Sequence, residues 1–319
     1  MAPSYVTVTD ASHGSPQTSY AVVTAARDEA ENLPRLARCL ANQTLRPVAW
    51  VVVENGSRDD TLAVVQDLEA RYPWITVVCL SGGPRLTRGG PIARAIHAGL
   101  AALNSQKPDV VVVADADISM PDDHFEHLIK EFNADSTVGI ASGSRWERVH
   151  GHWRQQFLTS TSVEASCRAY RWECLQDVLP FEERMGWVGL AEIKAIVRGW
   201  KTQVLLDLPF RHHRDTGVRE RTRTYGWFAE GGAAWYMGYR PYYLVLRSLH
   251  RARRDSRALA MILGYTVAAL RREPRHDEAA IRAYVRREQS LLKLRRRTDE
   301  ALGRREPVQR AASSANTKS

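Results

Sequence analysis

Val110-Val111-Val112-Val113-Ala114-Asp115-Ala116-Asp117 is the stretch that decides the fold. Four consecutive valines predict a strand buried on both faces, the pattern of a parallel sheet covered by helices. The chain then leaves the core at Ala114 and presents two carboxylates, Asp115 and Asp117, one residue apart. In open parallel sheets ligands sit beyond the carboxyl ends of the strands, which is where this pair falls. Two acids in such a place repel each other unless a cation or several donors compensate. A plain turn is the alternative, since Asp is common in loops. Ser119 and Pro121 already supply turn and helix-start chemistry, so the pair points to a metal and nucleotide-diphosphate site.

Upstream, residues 20–26 read as a first strand ending in Arg27-Asp28-Glu29, and Leu33, Leu36, Ala37 and Leu40 mark a helix face. Residues 50–53 form a second strand that stops at 54–61, before a helix with Leu62, Val65 and Leu68 inward. Residues 75–79 are the third strand, and the glycine-rich loop 81–90 leads into a helix over 92–103. Downstream, a helix starts near Asp122 and an apolar strand surrounds 138–141. This alternation predicts a doubly wound, mostly parallel α/β sheet with right-handed crossovers.

After Ser144 the rhythm breaks. Residues 145–154, rich in rings and charges, read as a loop: either a sugar or phosphate surface, or a solvated segment with packed tryptophans. Residues 164–176 fit a helix or a hairpin. Residues 190–198 have helical spacing, Gly199 ends that helix, and 203–206 read as a strand. From Trp227 onward the chain is expected to be helical, with amphipathic basic segments at 258–270 and 281–294. Such helices either lie on anionic membranes or pack on their own domain. The expected organisation is a flexible N-terminus (1–19) and a catalytic domain (20–214) with a nucleotide half (20–144) and an acceptor half (145–214). A helical region (215–297) and a disordered tail (298–319) follow.

Composition narrows the partners. With 319 residues, 44% apolar and 25% charged, the chain is long enough for a sizeable core and has ordinary globular content. Its net charge of +9 suits a phosphorylated substrate or an anionic membrane surface. No nucleic-acid-binding motif accompanies that charge, so nucleic acid is not expected as a partner. Cys39, Cys79, Cys167 and Cys174 lack metal or disulfide spacing and read as reduced. Residues 1–19 have no apolar signal region, and the run 259–270 falls short of the ~20 residues a membrane span needs. A cytoplasmic protein is expected, with peripheral membrane contact through the basic C-terminal helices.

The ordered set of strand-end motifs resembles the inverting GT-A glycosyltransferases of family 2. The residues that carry the resemblance are Arg27-Asp28-Glu29 after the first strand and Glu54-Asn55-Gly56-Ser57-Arg58-Asp59-Asp60-Thr61 after the second. A Gly-rich stretch before a helix start (Gly89 to Arg94) and the Asp115-Ala116-Asp117 triplet complete the set. The resemblance covers residues 20 to about 214 and implies the GT-A fold and a nucleotide-sugar donor. It implies Asp117 as ligand of a Mg2+ or Mn2+ ion, with Asp115 and Ala116 beside the ribose and diphosphate. Glu54 matches the acid that accepts from the base's ring N–H, which favours UDP. Ala25, Ala26, Arg27, Glu29, Arg94 and Trp187 would complete the nucleotide-sugar pocket. Residues 207–214 look like the family's histidine-bearing segment, which makes His212 and His213 further metal ligands, His213 the preferred one.

One departure stands out at Gly186-Trp187-Val188-Gly189-Leu190-Ala191-Glu192. The family pattern G-W-D-G-I-D-E carries its acceptor-activating base here, and Val188 and Ala191 stand where aspartates would. Three readings stay open. Glu192 is the general base, the acceptor is already ionised, or the enzyme is slow, since general-base loss costs ~10²–10⁴-fold. The expected activity is metal-dependent, inverting transfer of a sugar from a UDP-sugar to a saccharide, lipid-linked or small-molecule acceptor. Two other readings compete. A non-catalytic nucleotide-sugar-binding protein would explain the missing acids. A sugar-1-phosphate nucleotidyltransferase would need glycines after the first strand, and residues 25–29 have none.

Overall fold

A computed structural model of the protein describes residues 18–82, 89–103, 107–149, 151–156, 163–213, 223–253, 255–291 and 293. The expected flexible N-terminus (but for 18 and 19), most of the 81–90 loop and the disordered tail lie outside the described residues.

The first half alternates strictly: β1 (Tyr20–Ala26), α1 (Leu33–Ala41), β2 (Ala49–Asn55), α2 (Thr61–Arg71), β3 (Ile75–Leu80), α3 (Gly90–Leu103) and β4 (Val110–Ala114). There follow β5 (Ile118–Ser119), α4 (His124–Ala134), β6 (Val138–Val149), β7 (His152–Gln155), β8 (Cys167–Arg171), α5 (Trp172–Val178), α6 (Trp187–Val197) and β9 (Lys201–His212). The C-terminal part is helical: α7 (Arg223–Tyr236), α8 (Pro241–Ala252), a 3-10 turn (Ser256–Leu259), α9 (Ala260–Leu270) and α10 (Ala279–Glu288).

One sheet runs in the order β3-β2-β1-β4-β8-β6-β9-β5, with β7 paired to β6. Its first four strands are all parallel. Beyond β4 the sheet is mixed: β8 runs antiparallel to both β4 and β6, while β6 and β9 are parallel. The valine run behaves as its composition dictates. Val110 and Val112 face a core with α1, α2 and α4, and Val111 and Val113 face a second core with α3, α5 and α6. Successive strand residues point to opposite faces, so only an all-apolar strand can supply both. Each buried valine contributes on the order of 1.5–3 kcal/mol.

Three segments differ from expectation. Residues 145–154 are not a loop: they continue β6 into a hairpin with β7, in which Arg148 pairs with Trp153. Alternating rings and charges conceal a strand that is solvated on part of both faces. Residues 164–176 contain both a strand, β8, and the helix α5, which Arg171 joins by bonding the Phe132 and Val138 carbonyls. The strand expected at 203–206 extends over twelve residues to His212. That length carries it past β6 to the site.

The basic C-terminal helices pack on their own chain. Ile281 of α10, Ala233 of α7 and Met237 just beyond α7 bury against Leu190 of α6, and Arg198 pairs with Glu278 at 3.0 Å. Leu246 and Leu249 of α8 and Leu263 and Leu270 of α9 stay exposed. No described helix is long and apolar enough to cross a membrane.

Candidate active site

The carboxyl ends of β1, β2 and β4 lie side by side, because Ala26 pairs with Glu54 and Val23 with Val113. This puts Ala25, Ala26, Arg27, Glu29 and Glu54 at one end of the sheet, beside Asp115, Ala116 and Asp117. Backbone contacts shape that end. A Cβ on Gly82 would lie 2.2 Å from the Asn55 carbonyl oxygen, so the loops after β2 and β3 meet main chain to main chain. The buried Glu54 carboxylate accepts from the Ser57 N–H at 2.5 Å, and Glu29 accepts from Asn32 at 2.7 Å, so both hold their own turns.

The two aspartates meet a histidine from the far end of the sheet. Short antiparallel pairing of β5 with β9 sets Ile118 opposite His212, and the His213 N–H donates to the Asp117 carbonyl at 2.8 Å. One ligand atom each from Asp115, Asp117 and His212 lies within 4.8 Å of the others. Asp115 is exposed at the surface, yet neighbouring strand ends crowd its carboxylate, and the Ser166 hydroxyl donates to it. Loss of water and the adjacent Asp117 push its pKa up to about 6.

The structure separates the two histidines. His212 Nε2 lies 3.4 Å from Asp117 Oδ1, whereas His213 turns the other way, bonding Ser119 Oγ through Nε2 at 2.7 Å and packing edge-on to Trp153. Alternation is the reason: His212 ends β9 and His213 directly follows it, and neighbours along an extended chain face opposite sides. The preference for His213 as metal ligand is therefore not what the geometry brings together; His212 is. Two carboxylate oxygens and an imidazole nitrogen form a donor set that fits Mg2+ or Mn2+. Close crowding of the two acids fits it further, because a cation relieves their repulsion.

Behind His212 lies a charged network that sequence reading missed. Its Nδ1, buried and without a hydrogen-bond partner, sits 3.6 Å from Glu147 Oε1. Glu147 pairs with Arg145 at 2.9 Å, and Arg145 with Glu164 at 3.2 Å. The fully buried Arg168 donates from Nε to the Glu164 carbonyl and from Nη2 to Glu192 at 3.1 Å. Burial raises the Glu164 pKa against the pull of Arg145 and Arg168. The register of β6 on β9, Glu147 opposite His212, joins this network to the aspartate cluster.

Three expected site residues lie apart from the cluster. Glu192 points inward, where it pairs with Arg168 and accepts from the Val163 N–H at 3.2 Å; burial raises its pKa, with Arg168 opposing. A carboxylate so engaged is poorly placed to take a proton from an acceptor. The cause is Arg168, whose charge no other described side chain on α6 can meet. Trp187 is buried against Phe181, ring centroids 4.8 Å apart, so it packs the core. Arg94 pairs on the surface with Glu183 at 2.5 Å.

The fold is of the GT-A type, and comparison with known proteins gives the family. Residues 21–193 match the model of glycosyl transferase family 2, more than half of the sequence, and the chain belongs to that family. It is 27% identical over 206 residues to an undecaprenyl-phosphate 4-deoxy-4-formamido-L-arabinose transferase of Pseudomonas savastanoi pv. phaseolicola. That match covers 59% of this chain and 57% of the relative, so the chain spans little more than half of that protein's length. Among solved structures, a mannosyltransferase of Pyrobaculum calidifontis in complex with GDP-Man and Mn2+ shares the fold at 17% identity. Its TM-score is 0.51, over 88% of this chain and 84% of its own. The S. aureus TarS structure, 17% identical, covers 66% of this chain and 39% of its own, with a TM-score of 0.49.

Proposed function

We propose that the chain transfers a sugar from a UDP-sugar to an acceptor, with inversion at the anomeric carbon and with a divalent cation bound. The observation that carries the reading is the meeting of Asp115, Asp117 and His212 at the carboxyl end of β4. Asp117 and His212 would hold Mg2+ or Mn2+, and Asp115 would hold it or the ribose. When bound, the ion offsets charge that develops on the departing diphosphate. Arg27 and Glu29 would line the nucleotide pocket, and Glu54 would accept from the uracil ring N–H. In-line attack from the side opposite the diphosphate gives inversion. Acceptors in polysaccharide, glycolipid or natural-product assembly are proposed, including lipid-linked ones, as the name of the Pseudomonas relative suggests for that protein. Peripheral contact of the cytoplasmic protein with the inner face of a membrane is part of the proposal, supported by the exposed leucines of α8 and α9.

The test is a Mn2+-dependent UDP-sugar hydrolysis panel, read as UDP release. Wild type should hydrolyse at least one donor, and Asp117→Ala should lose on the order of 10²–10³-fold in rate. Tight UDP binding with no release from any donor would replace the proposal with the binding-protein reading, which the engaged Glu192 favours.

A further inference from the structure

Residues 163–166, just before β8, reach the cation cluster from two sides. Ser166 holds Asp115 at two points: its carbonyl accepts the Asp115 N–H at 2.8 Å, and its hydroxyl donates to the Asp115 carboxylate. Glu164 connects to His212 through Arg145 and Glu147. The β8 ladder opens with Cys167 opposite Ala114, so residues 163 and 164 lie ahead of it. Side chains take the ladder's place there. The Val163 N–H donates to Glu192 Oε1 at 3.2 Å, and the Val163 carbonyl accepts from Arg168 Nη2. The Glu164 N–H donates to the Ser142 hydroxyl at 3.0 Å, and its carbonyl accepts from Arg168 Nε at 3.1 Å. Arg168 closes the set by meeting Glu192 Oε2 at 3.1 Å and the Val188 carbonyl, in the first turn of α6, at 2.9 Å.

Stability alone does not explain a charged pair in this place. Arg168 lies opposite Val113, whose side chain belongs to the apolar core under α3, α5 and α6. Both ions carry a large desolvation penalty there, and well-packed apolar residues of similar volume commonly stabilise as well or better. What an apolar pair lacks is direction. The planar fork of a guanidinium and the two oxygens of a carboxylate fix the groups they bond in position and orientation. Here those groups are both polar atoms of the Val163 backbone, the Glu164 carbonyl and the start of α6. Glu192 is also the one acid of α6.

We propose that Glu192 and Arg168 are positioning residues of the cation site, acting through residues 163–166 to aim the Asp115 carboxylate at the space it shares with Asp117 and His212. The proposal rests on the cation-dependent transferase reading and gives Glu192 a task in it other than proton transfer. The link runs from Glu192 and Arg168 to the Val163 backbone, along the chain to Ser166, and from the Ser166 hydroxyl to Asp115. A second branch runs from the Glu164 carboxylate through Arg145 and Glu147 to His212. Neither residue touches the cation or the reacting atoms.

Mn2+ affinity is measured by electron paramagnetic resonance, without donor, on wild type, Ser166→Ala, Glu192→Gln and the double variant. Groups that hydrogen-bond a ligating carboxylate contribute about 10–100-fold to metal affinity, so Ser166→Ala should weaken Mn2+ binding about tenfold. Glu192→Gln, which removes the countercharge of Arg168, should weaken it about three- to tenfold. Because the two act along one line, the double variant should lose less than the product of the single losses. Glu192→Asp keeps the charge on a shorter arm and should shift affinity the same way, including where the amide variant does not fold. Leu175→Ala trims the same core without removing a polar group, so it should lower the melting temperature and leave Mn2+ affinity at the wild-type value. Wild-type affinity in folded Glu192→Gln and Glu192→Asp, or losses that multiply in the double variant, would overturn the proposal. An equal loss in Leu175→Ala would overturn it too, because destabilisation alone would then suffice. No Mn2+ binding by wild type would remove the cation reading itself. Mn2+-dependent UDP release with unchanged affinity in the variants would leave that reading standing and fail only this one.

Discussion

The two halves of the sheet build the site by different means. In the parallel half, β1 to β4, each functional residue stands at a strand's carboxyl end, and the connection that follows is local in sequence. In the mixed half, β6 and β9 run twelve residues each and bring together side chains more than sixty positions apart, such as Glu147 and His212. Parallel strands separated by helices put all their loops at one edge, so position along the strand suffices to place a residue. In the mixed half register decides, and a shift of one residue would exchange His212 for His213.

The largest effect that sharpens this contrast should come from the buried pair of the mixed half. Arg168→Met leaves the buried Glu192 carboxylate without its countercharge and the Val163 carbonyl without its guanidinium donor, and removing one partner of a buried ion pair costs about 3–5 kcal/mol. Urea denaturation should show that loss. Stability within 1 kcal/mol of wild type, on the scale of an exposed pair, would mean that the network does not hold this half together.

In the parallel half the corresponding cost should be steric. A Cβ on Gly99 of α3 would lie 2.4 Å from Val23 Cγ1, so Gly99→Ala overpacks the α3–sheet contact and should cost about 1–3 kcal/mol. Thermal melting measures it. An unchanged midpoint would show that α3 can lift from the sheet, which would undercut the rigid placement of the strand ends.

A smaller and more specific change is expected for Glu147→Gln. Carboxylates behind a metal-binding histidine commonly contribute 10–100-fold to affinity, and at 3.6 Å Glu147 should act near the lower end, about tenfold. Mn2+ titration followed by electron paramagnetic resonance reads this directly. No change in Mn2+ affinity, with the fold intact, would separate the network from the cation site.

The smallest effect concerns Asp115. Its folded-state pKa of about 6 exceeds the unfolded value, so the folded protein binds the extra proton between about pH 4 and 6. The carboxylate therefore destabilises the metal-free protein as pH rises through 6. Asp115→Asn should raise the melting temperature of chelator-treated protein at pH 7.5, and the gain should fade towards pH 4. Added Mn2+ should stabilise wild type more than the variant. A gain independent of pH would locate the effect elsewhere.

Much of the parallel half was legible in the sequence. Val110 to Val113 declared a doubly covered strand, and Arg27, Glu54, Asp115 and Asp117 each follow an apolar run that ends in a loop. Period and composition report such features because they are properties of neighbouring residues. The hairpin at 146–155 reads as a loop in the sequence, since its half-buried tryptophans and exposed arginines give no clean alternation. Glu192 was legible as an acid in the right helix, but not as the partner of Arg168, twenty-four residues away. Trp187 likewise showed its size but not that Phe181 covers it.

By itself the sequence determined the α/β class, the order of strands and helices as far as the start of β6, and the acidic pair at the end of β4, because burial of apolar runs and the chemistry of turns act locally. Only the tertiary structure decided which histidine meets that pair, which acids are engaged by arginines, and that Trp146, Trp153 and Arg211 line one cavity. Those outcomes depend on strand register and on desolvation, which arise when distant segments exclude water from one another.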